Sequence, residues 1–356
     1  MRIGPEDIKK ILIINLGGIG DVLISSPAVR ALKDHFPGAE LYFLSAGRVA
    51  GVVRGLSLAD RVFSLELERP FLHILANLKN IAALRGLRID LGINMRTLVS
   101  GSSAGKIKYI MAQIAPRIKA GRDTEGRGYF FDVKIPEENV GGKYEMEYDL
   151  ELVRALGVTI HDKSIYLPIT EESCLRAGRI LAAAGIIESD TLIAIHPGGK
   201  PSHRWASDNF ARVMQILRNN PGRRFIITGS RDEARLVQDI IDKSGVKALN
   251  LAGRLAFGDL CAVLKRCRLY IANDTGPMHI AAVLNTPLIA LFGPGYVDRY
   301  DPRNISSKAV VFHNKERCSP CNKTVCGSMK CMGSISAEEV ALAAESLLGR
   351  NEKEEA

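Results

Sequence analysis

The stretch Leu269-Tyr270-Ile271-Ala272-Asn273-Asp274-Thr275-Gly276-Pro277-Met278-His279 reads as a buried strand running directly into the first turn of a small-residue helix, Ile280–Leu284. Such a junction leaves the first helical N–H groups unpaired, and these, with the helix dipole, attract an anion. Pro277 suits the first turn, where its missing N–H costs nothing, and Gly276 allows a ligand to approach the backbone closely. One junction of this kind is compatible with a plain structural cap; its meaning depends on what surrounds it.

Working outward, the chain repeats the pattern. Strands at Leu192–Ile195, Arg224–Thr228, Ala248–Leu251, Leu269–Ala272 and Leu288–Phe292 alternate with helices near Asp208–Leu217, Asp232–Ser244, Asp259–Arg266 and Met278–Leu284. Near the N-terminus, strand Ile11–Asn15, helix Asp21–Lys33 and strand Glu40–Leu44 form a β-α-β unit, with a further strand at Ile89–Asn94. Beyond it the chain turns basic and glycine-rich through Arg127, and Tyr144–Leu156 resumes a helical pattern. Asp162–Glu172 carries a proline and little helical period, and reads as the linker to a second series that opens with helix Glu171–Ala184. Strand–helix alternation predicts α/β domains, each a doubly wound parallel sheet with ligand turns at the carboxyl ends of its strands. No repeat of fixed period is visible.

Composition agrees and excludes. At 356 residues and 46% hydrophobic content the chain can bury two cores. No run approaches the ~20 apolar residues of a membrane span, and the charged Met1–Lys10 is not a signal peptide. Seven cysteines, four of them in one short stretch, do not make a distributed disulfide framework and fit a reducing cytoplasm. The formal charge of +9 implies an anionic partner. Nucleic acid is disfavoured: with 6% aromatics there is no stacking platform, and the charge reads as spread along the chain.

Two more turns carry chemistry. Leu16-Gly17-Gly18-Ile19-Gly20-Asp21 follows strand Ile11–Asn15, but the third glycine of a dinucleotide fingerprint would fall at Leu23, which speaks against a nicotinamide oxidoreductase. Asp21 reads either as a carboxylate serving the helix dipole or as a general base facing a cleft. His196-Pro197-Gly198-Gly199-Lys200, followed by His203-Arg204-Trp205 and a helix capped by Ser207, offers glycine backbone, the charge of Lys200 and a guanidinium at Arg204 suited to a diphosphate. His196 and Trp205 read as structural.

Together, Ile11–Leu44, the HPGG…RW segment, Leu251-Ala252-Gly253, the Asn273–His279 run, Leu291-Phe292-Gly293-Pro294 and the C-x-P-C…C…C-M pattern resemble glycosyltransferase family 9, the ADP-heptose:lipopolysaccharide heptosyltransferases. The resemblance implies a GT-B fold: two Rossmann-like domains facing across a cleft, with boundaries at 1–165 for the acceptor, 166–335 for the nucleotide sugar, and a C-terminal helix and charged tail at 336–356. It implies inverting transfer of a heptose or related sugar, with an ADP-sugar donor and a lipid-linked or lipopolysaccharide-core acceptor. On this pattern Asp21 is the base, and Gly198, Gly199, Lys200, His203, Arg204, Asp274, Thr275 and Gly276 hold the donor. Gly18, Gly20, Arg96, Lys106 and Arg122 fall to the acceptor, the last three within a basic stretch suited to the cytoplasmic membrane face. The departing ADP would be neutralised by cations and backbone N–H groups, with no metal required. One position departs from the family, which usually has lysine at 203; if His203 contacts phosphate, ADP should bind more tightly as pH falls through ~6.5. A nucleotide-sugar epimerase of the same fold and a transferase with another nucleotide sugar stand as alternatives.

Cys318, Cys321, Cys326 and Cys331, spaced C-x2-C-x4-C-x4-C, invite a structural Zn²⁺ or an iron–sulfur cluster. A disulfide-prone loop, or reduced thiols packed beneath a final helix Ala337–Leu348, read as well.

Overall fold

A computed structural model describes residues 4–68 and 70–354. The chain divides into two compact units, Met1–Tyr166 and Leu167–Ala356.

The first unit holds six strands: β1 Lys10–Asn15, β2 Glu40–Ala46, β3 Arg61–Leu65, β4 Leu91–Asn94, β5 Ile118–Thr124 and β6 Val133–Glu137. All pair parallel, in the order β3-β2-β1-β4-β5-β6. Its helices are α1 Ile19–His35, α2 Ala50–Gly55, α3 Ile74–Gly86, α4 Gly101–Ile114 and α5 Glu145–Ala155. The second unit repeats the plan with β7 Thr191–His196, β8 Arg223–Ile227, β9 Ala248–Asn250, β10 Leu269–Asn273, β11 Leu288–Phe292 and β12 Ala309–His313, ordered β12-β11-β10-β7-β8-β9 and again parallel. Its helices are α6 Glu171–Ala183, α7 Ser207–Leu217, α8 Ala234–Ser244, α9 Phe257–Arg266, α10 Gly276–Val283, α11 Val297–Tyr300, α12 Lys330–Gly333 and α13 Ala337–Glu354. Counted within each unit, both sheets run 3-2-1-4-5-6, the Rossmann order.

The central strands are apolar on both faces because helices cover both faces. Ile11–Ile14, Leu192–Ile195 and Leu288–Phe292 are almost wholly inaccessible to solvent. The long final helix belongs to the second unit, where Val340, Ala344, Leu347 and Leu348 join the core beneath β7, β10 and α7.

Most predicted elements appear within a residue or two of their expected ends. The basic, glycine-rich stretch differs: it contains α4 and β5, and β6 follows it. Ala104, Ile107, Ile110, Met111 and Ile114 recur at helical spacing and are buried, and Ser100 caps the helix by accepting the Ser103 N–H at 3.2 Å. Lysines and glycines on the outer face hide that period from a composition-based reading. At α7 the cap is Ala206, and Ser207 is the first helical residue, with no side-chain cap bond.

Candidate active site

In a Rossmann sheet the strand order reverses between the first and fourth strands, and ligands bind beyond the carboxyl ends at that point. All three predicted turns lie there, one in the first unit and two in the second.

In the first unit, β1 ends in Asn15, whose side chain is fully buried and organises the turn. Its Oδ1 accepts the Gly17 N–H at 3.0 Å, and its Nδ2 donates to Ser25 Oγ at 3.0 Å and to the Asp21 carbonyl at 3.3 Å. The Asp21 carboxylate folds back over the glycines: Oδ2 accepts the Gly18 N–H at 2.6 Å. A Cβ at Gly17 would fall 2.4 Å from that oxygen, so only glycine leaves room for it. Asp21 Oδ1 pairs with Arg96, which follows β4 across the switch point. The two side chains keep 14% and 23% of their surface, enough to be reached from outside.

Beneath this pair lies a buried charge network. Arg96 stands 3.9 Å from Glu145 of α5; Glu145 accepts from Arg122 at 2.9 Å, and Arg122 also pairs with Asp149. Asp149 accepts from Ser25 Oγ at 2.6 Å, which closes the circuit back to Asn15. Burial, opposed by Arg122 and reinforced by Glu145, pushes the Asp149 carboxyl up to about 6.

This geometry revises the expected acceptor set. Arg122 is inaccessible and committed to two carboxylates, so it supports the turn from below and presents no cation at the surface. The Gly18 N–H is taken by Asp21, Gly20 is buried in the first turn of α1, and Lys106 is exposed on α4.

The second unit organises its turns around a buried amide. Asn273, at the end of β10, donates to the carbonyls of Pro197 and Gly198 at 2.9 and 3.0 Å and accepts the Trp205 N–H at 3.1 Å, tying the β7 turn to the β10 turn. Gly199 has φ +116°, open to glycine at little cost, and a Cβ there would meet the Thr275 methyl at 2.8 Å. Thr275 is the N-cap of α10, yet its own side chain makes no cap bond and no acid stands in the helix's first turn. Its dipole therefore keeps its attraction for an anion. Asp274 and His203 converge on Gly295 after β11: a Cβ there would lie 2.3 Å from Asp274 Oδ2 and 3.6 Å from His203 Nε2.

Arg204 does not stand clear as a diphosphate fork. Its Nε donates to the Gly199 carbonyl at 2.8 Å and its Nη2 lies 3.3 Å from Glu233, so it shapes the turn and only part of its charge faces outward. Glu233 in turn accepts the N–H groups of Gly199 and Ser230, each at 2.8 Å. Burial opposes its charge, but these N–H bonds hold it ionised below the ordinary carboxylate range. Burial, then the charge of Lys200, pushes the buried His203 down to about 4. His203 is thus held neutral around pH ~6.5, where sequence alone placed its titration. Burial likewise lowers His196 to about 4, consistent with a structural role against Thr228.

The cysteine segment lies against this same turn. Asn322 donates its N–H to the Pro294 carbonyl at 2.8 Å and accepts from Lys200 Nζ at 3.2 Å, and Ser202 donates its N–H to the Thr324 carbonyl at 3.1 Å. Cys331 is buried near Gly293, while Cys318, Cys321 and Cys326 retain exposure, all as free thiols. Among the described residues no three His, Cys, Asp or Glu side chains converge in a way that could hold a metal ion. Burial, opposed by the Met332 backbone and reinforced by the nearby Cys318, Cys321 and Cys326, pushes the Cys331 thiol up.

Comparison with known proteins then settles the lineage. The sequence profile of glycosyltransferase family 9 (heptosyltransferase) matches residues 78–332. The chain belongs to glycosyltransferase family 9. A lipooligosaccharide heptosyltransferase 2 of Campylobacter jejuni is 27% identical over 344 residues, covering 93% of this chain and 95% of that protein. Among solved structures, a family 9 glycosyltransferase of Veillonella parvula superposes with a TM-score of 0.77 at 23% identity, over 98% of this chain and 99% of the other. The ADP-heptose lps heptosyltransferase II of E. coli gives 0.73 at 20% identity, over 96% and 99%. The family 9 chain is thus a glycosyltransferase, its pair of Rossmann sheets is the GT-B architecture, and the oxidoreductase and epimerase readings fall away. None of its described helices is long and apolar enough to cross a membrane.

Several residues of this family 9 site escaped the sequence reading. Glu233 has a signal, the capping-box spacing Ser230-x-x-Glu233. Glu145 and Asp149 have a weaker one, acids four apart on the face that also carries Leu152 and Val153. Asn322 has none.

Proposed function

We propose that this family 9 enzyme transfers heptose from ADP-heptose to a lipopolysaccharide or lipooligosaccharide core acceptor on the cytoplasmic side of the membrane, with inversion at the anomeric carbon. The carrying observation is Asp21, held by a glycine N–H and Arg96 at one switch point while the other unit keeps an uncapped helix N-terminus at its own.

The chemistry divides accordingly. An acceptor hydroxyl attacks the anomeric carbon as its proton passes to Asp21, and the sugar–phosphate bond breaks with its electrons going to ADP. The departing diphosphate meets Lys200, the Gly198–Gly199 backbone and the helix start at Thr275–Gly276, and Arg204 holds that turn in shape. These groups supply charge neutralisation without calling on a metal. Asp274, against Gly295 and His203, is assigned to the sugar–phosphate end of the donor.

The test is Asp21→Asn. A lost general base lowers kcat by about 10²–10⁴, and ADP affinity should stay at the wild-type value. Turnover within a few-fold of wild type reduces Asp21 to a helix-cap residue. The anomeric configuration of the product, read by NMR, checks inversion, and a donor series of ADP-, UDP-, GDP- and CMP-sugars checks the nucleotide.

A further inference from the structure

Helix α3 lacks a conventional buried face. Of its thirteen residues only Leu84 is buried. Phe71 and Leu72 just before it, and Ile74, Leu75 and Leu78 on it, are all exposed, Phe71 at 89% and Leu75 at 79%. Five large apolar side chains within eight residues are not the scattered surface hydrophobics of an ordinary soluble protein, and a contiguous patch of this kind marks an interaction site.

Charge singles out the same region. The positive charge is not spread along the chain, as composition alone suggested. Residues 69–122 contain ten Lys and Arg and one acid, Asp90, a formal +9 that accounts for the whole chain's excess. Asp90 is engaged locally, accepting the N–H groups of Lys9 and Lys10 at 2.9 and 3.0 Å and lying 3.7 Å from Arg117. Lys79 and Arg85 are exposed on α3 itself; Lys106 and Lys108 are exposed on α4, which packs beside it. Lys108 stands 2.7 Å from the hydroxyl of the exposed Tyr129, an aromatic of the kind that settles at headgroup level.

We propose that the α3 ridge docks the first unit onto a bilayer carrying anionic phospholipid, with Phe71, Leu72 and Leu75 entering the headgroup–acyl boundary and the lysines of α3 and α4 meeting the phosphates. An apolar ridge flanked by cations is the composition of an interfacial helix. Nucleic acid fits less well, because Leu72, Ile74, Leu75 and Leu78, which make up most of the ridge, are aliphatic and offer no stacking surface. A second copy fits less well too, since two-fold pairing of this face would set like charges against each other. The inference rests on surface chemistry and holds whichever sugar the enzyme transfers.

Flotation of the full chain with phosphatidylglycerol/phosphatidylcholine vesicles, against phosphatidylcholine alone, tests it. The wild type should float with the anionic vesicles and come off as salt rises. Leu72→Ser/Leu75→Ser should lower the partition coefficient by about tenfold or more, since each buried methylene contributes to anchoring. Lys79→Ser should lower it about fivefold, each cation near the surface being worth ~1 kcal/mol. Circular dichroism and ADP binding should be unchanged in every variant, because these side chains are exposed, as should transfer to a soluble acceptor fragment. Wild-type protein that ignores anionic vesicles, or a double variant that floats as well as wild type, overturns the proposal. So do a wild-type dimer that the double variant dissociates in sedimentation, and single-stranded RNA binding that depends on the ridge without vesicle binding. Loss of transfer to the soluble fragment in wild type counts against the proposed reaction and leaves the docking result standing.

Discussion

The two switch points occupy the same place in the same strand order and are built from opposite materials. In the first unit a carboxylate is held at the surface by a guanidinium, over buried Arg122, Glu145 and Asp149. In the second, glycines, the Asn273 amide and an uncapped helix start make the turn, with two histidines kept neutral by burial. A group that takes a proton must itself be fixed, and charged side chains fix it at the expense of desolvating their partners. A group that receives a leaving anion works best when nothing already answers its dipoles. Topology places a site; the side chains beneath it decide which charge it welcomes.

The largest expected difference is in stability. Arg122→Met leaves Glu145 and Asp149 buried without their cation and should cost about 3–5 kcal/mol of unfolding free energy in urea. Arg204→Met, breaking the part-exposed pair with Glu233, should cost under about 1 kcal/mol. Equal losses would erase the contrast between the units.

Nucleotide affinity sharpens it next. Glu233→Gln removes the charge that accepts the Gly199 and Ser230 N–H groups. Bonds of that kind are worth about 1.5–3 kcal/mol, so calorimetry should show ADP binding weakened about tenfold to a hundredfold. Arg96→Gln, in the other unit, should leave ADP affinity unchanged while lowering kcat. A matching fall in ADP affinity would break the division of roles.

The smallest effect is one of sign. Folded Asp149 keeps its proton up to about pH 6, whereas the unfolded carboxyl loses it near ~4. The folded state therefore binds more protons over that window, and this group's contribution to stability falls as pH rises through it. His196 and His203 protonate near 4 when folded and near ~6.5 when unfolded, so their contribution rises with pH between those values. Trp205, the single tryptophan, lies in the second unit and reports on that unit alone. Its fluorescence-detected stability should climb from pH 4 to 6.5, and His203→Gln should flatten the climb. Hydrogen exchange in β1 and β4 should show the opposite slope, abolished in Asp149→Asn.

Much of this was legible in the sequence because fully buried parallel strands are short apolar runs, and the turns that follow them carry glycine and asparagine at the points where chain must meet chain. Asp21, Gly199 and Thr275 were readable for that reason. What was not readable depends on partners distant in sequence. Arg122 looked like one more surface cation until Glu145 and Asp149 came to lie on either side of it. His203 looked titratable until burial removed its water, and Asn322 touches Lys200 across 122 positions of chain. The α3 ridge was hidden for a different reason: a run of apolar residues does not by itself say which of them a neighbouring element will cover.

The shared strand order also dictates how each unit is assembled as the chain is made. In both sheets the first strand synthesised ends at the centre, so β7 pairs with β8 soon after it appears but waits for Leu269–Asn273 before its other edge closes. Until then a run of isoleucine, leucine and alanine holds a full row of unmet N–H and C=O groups, a template for any neighbouring nascent chain. The turns after β7 and β10 come together only at that same delayed closure, so the glycine turn of the second unit waits on a seam between strands far apart in sequence.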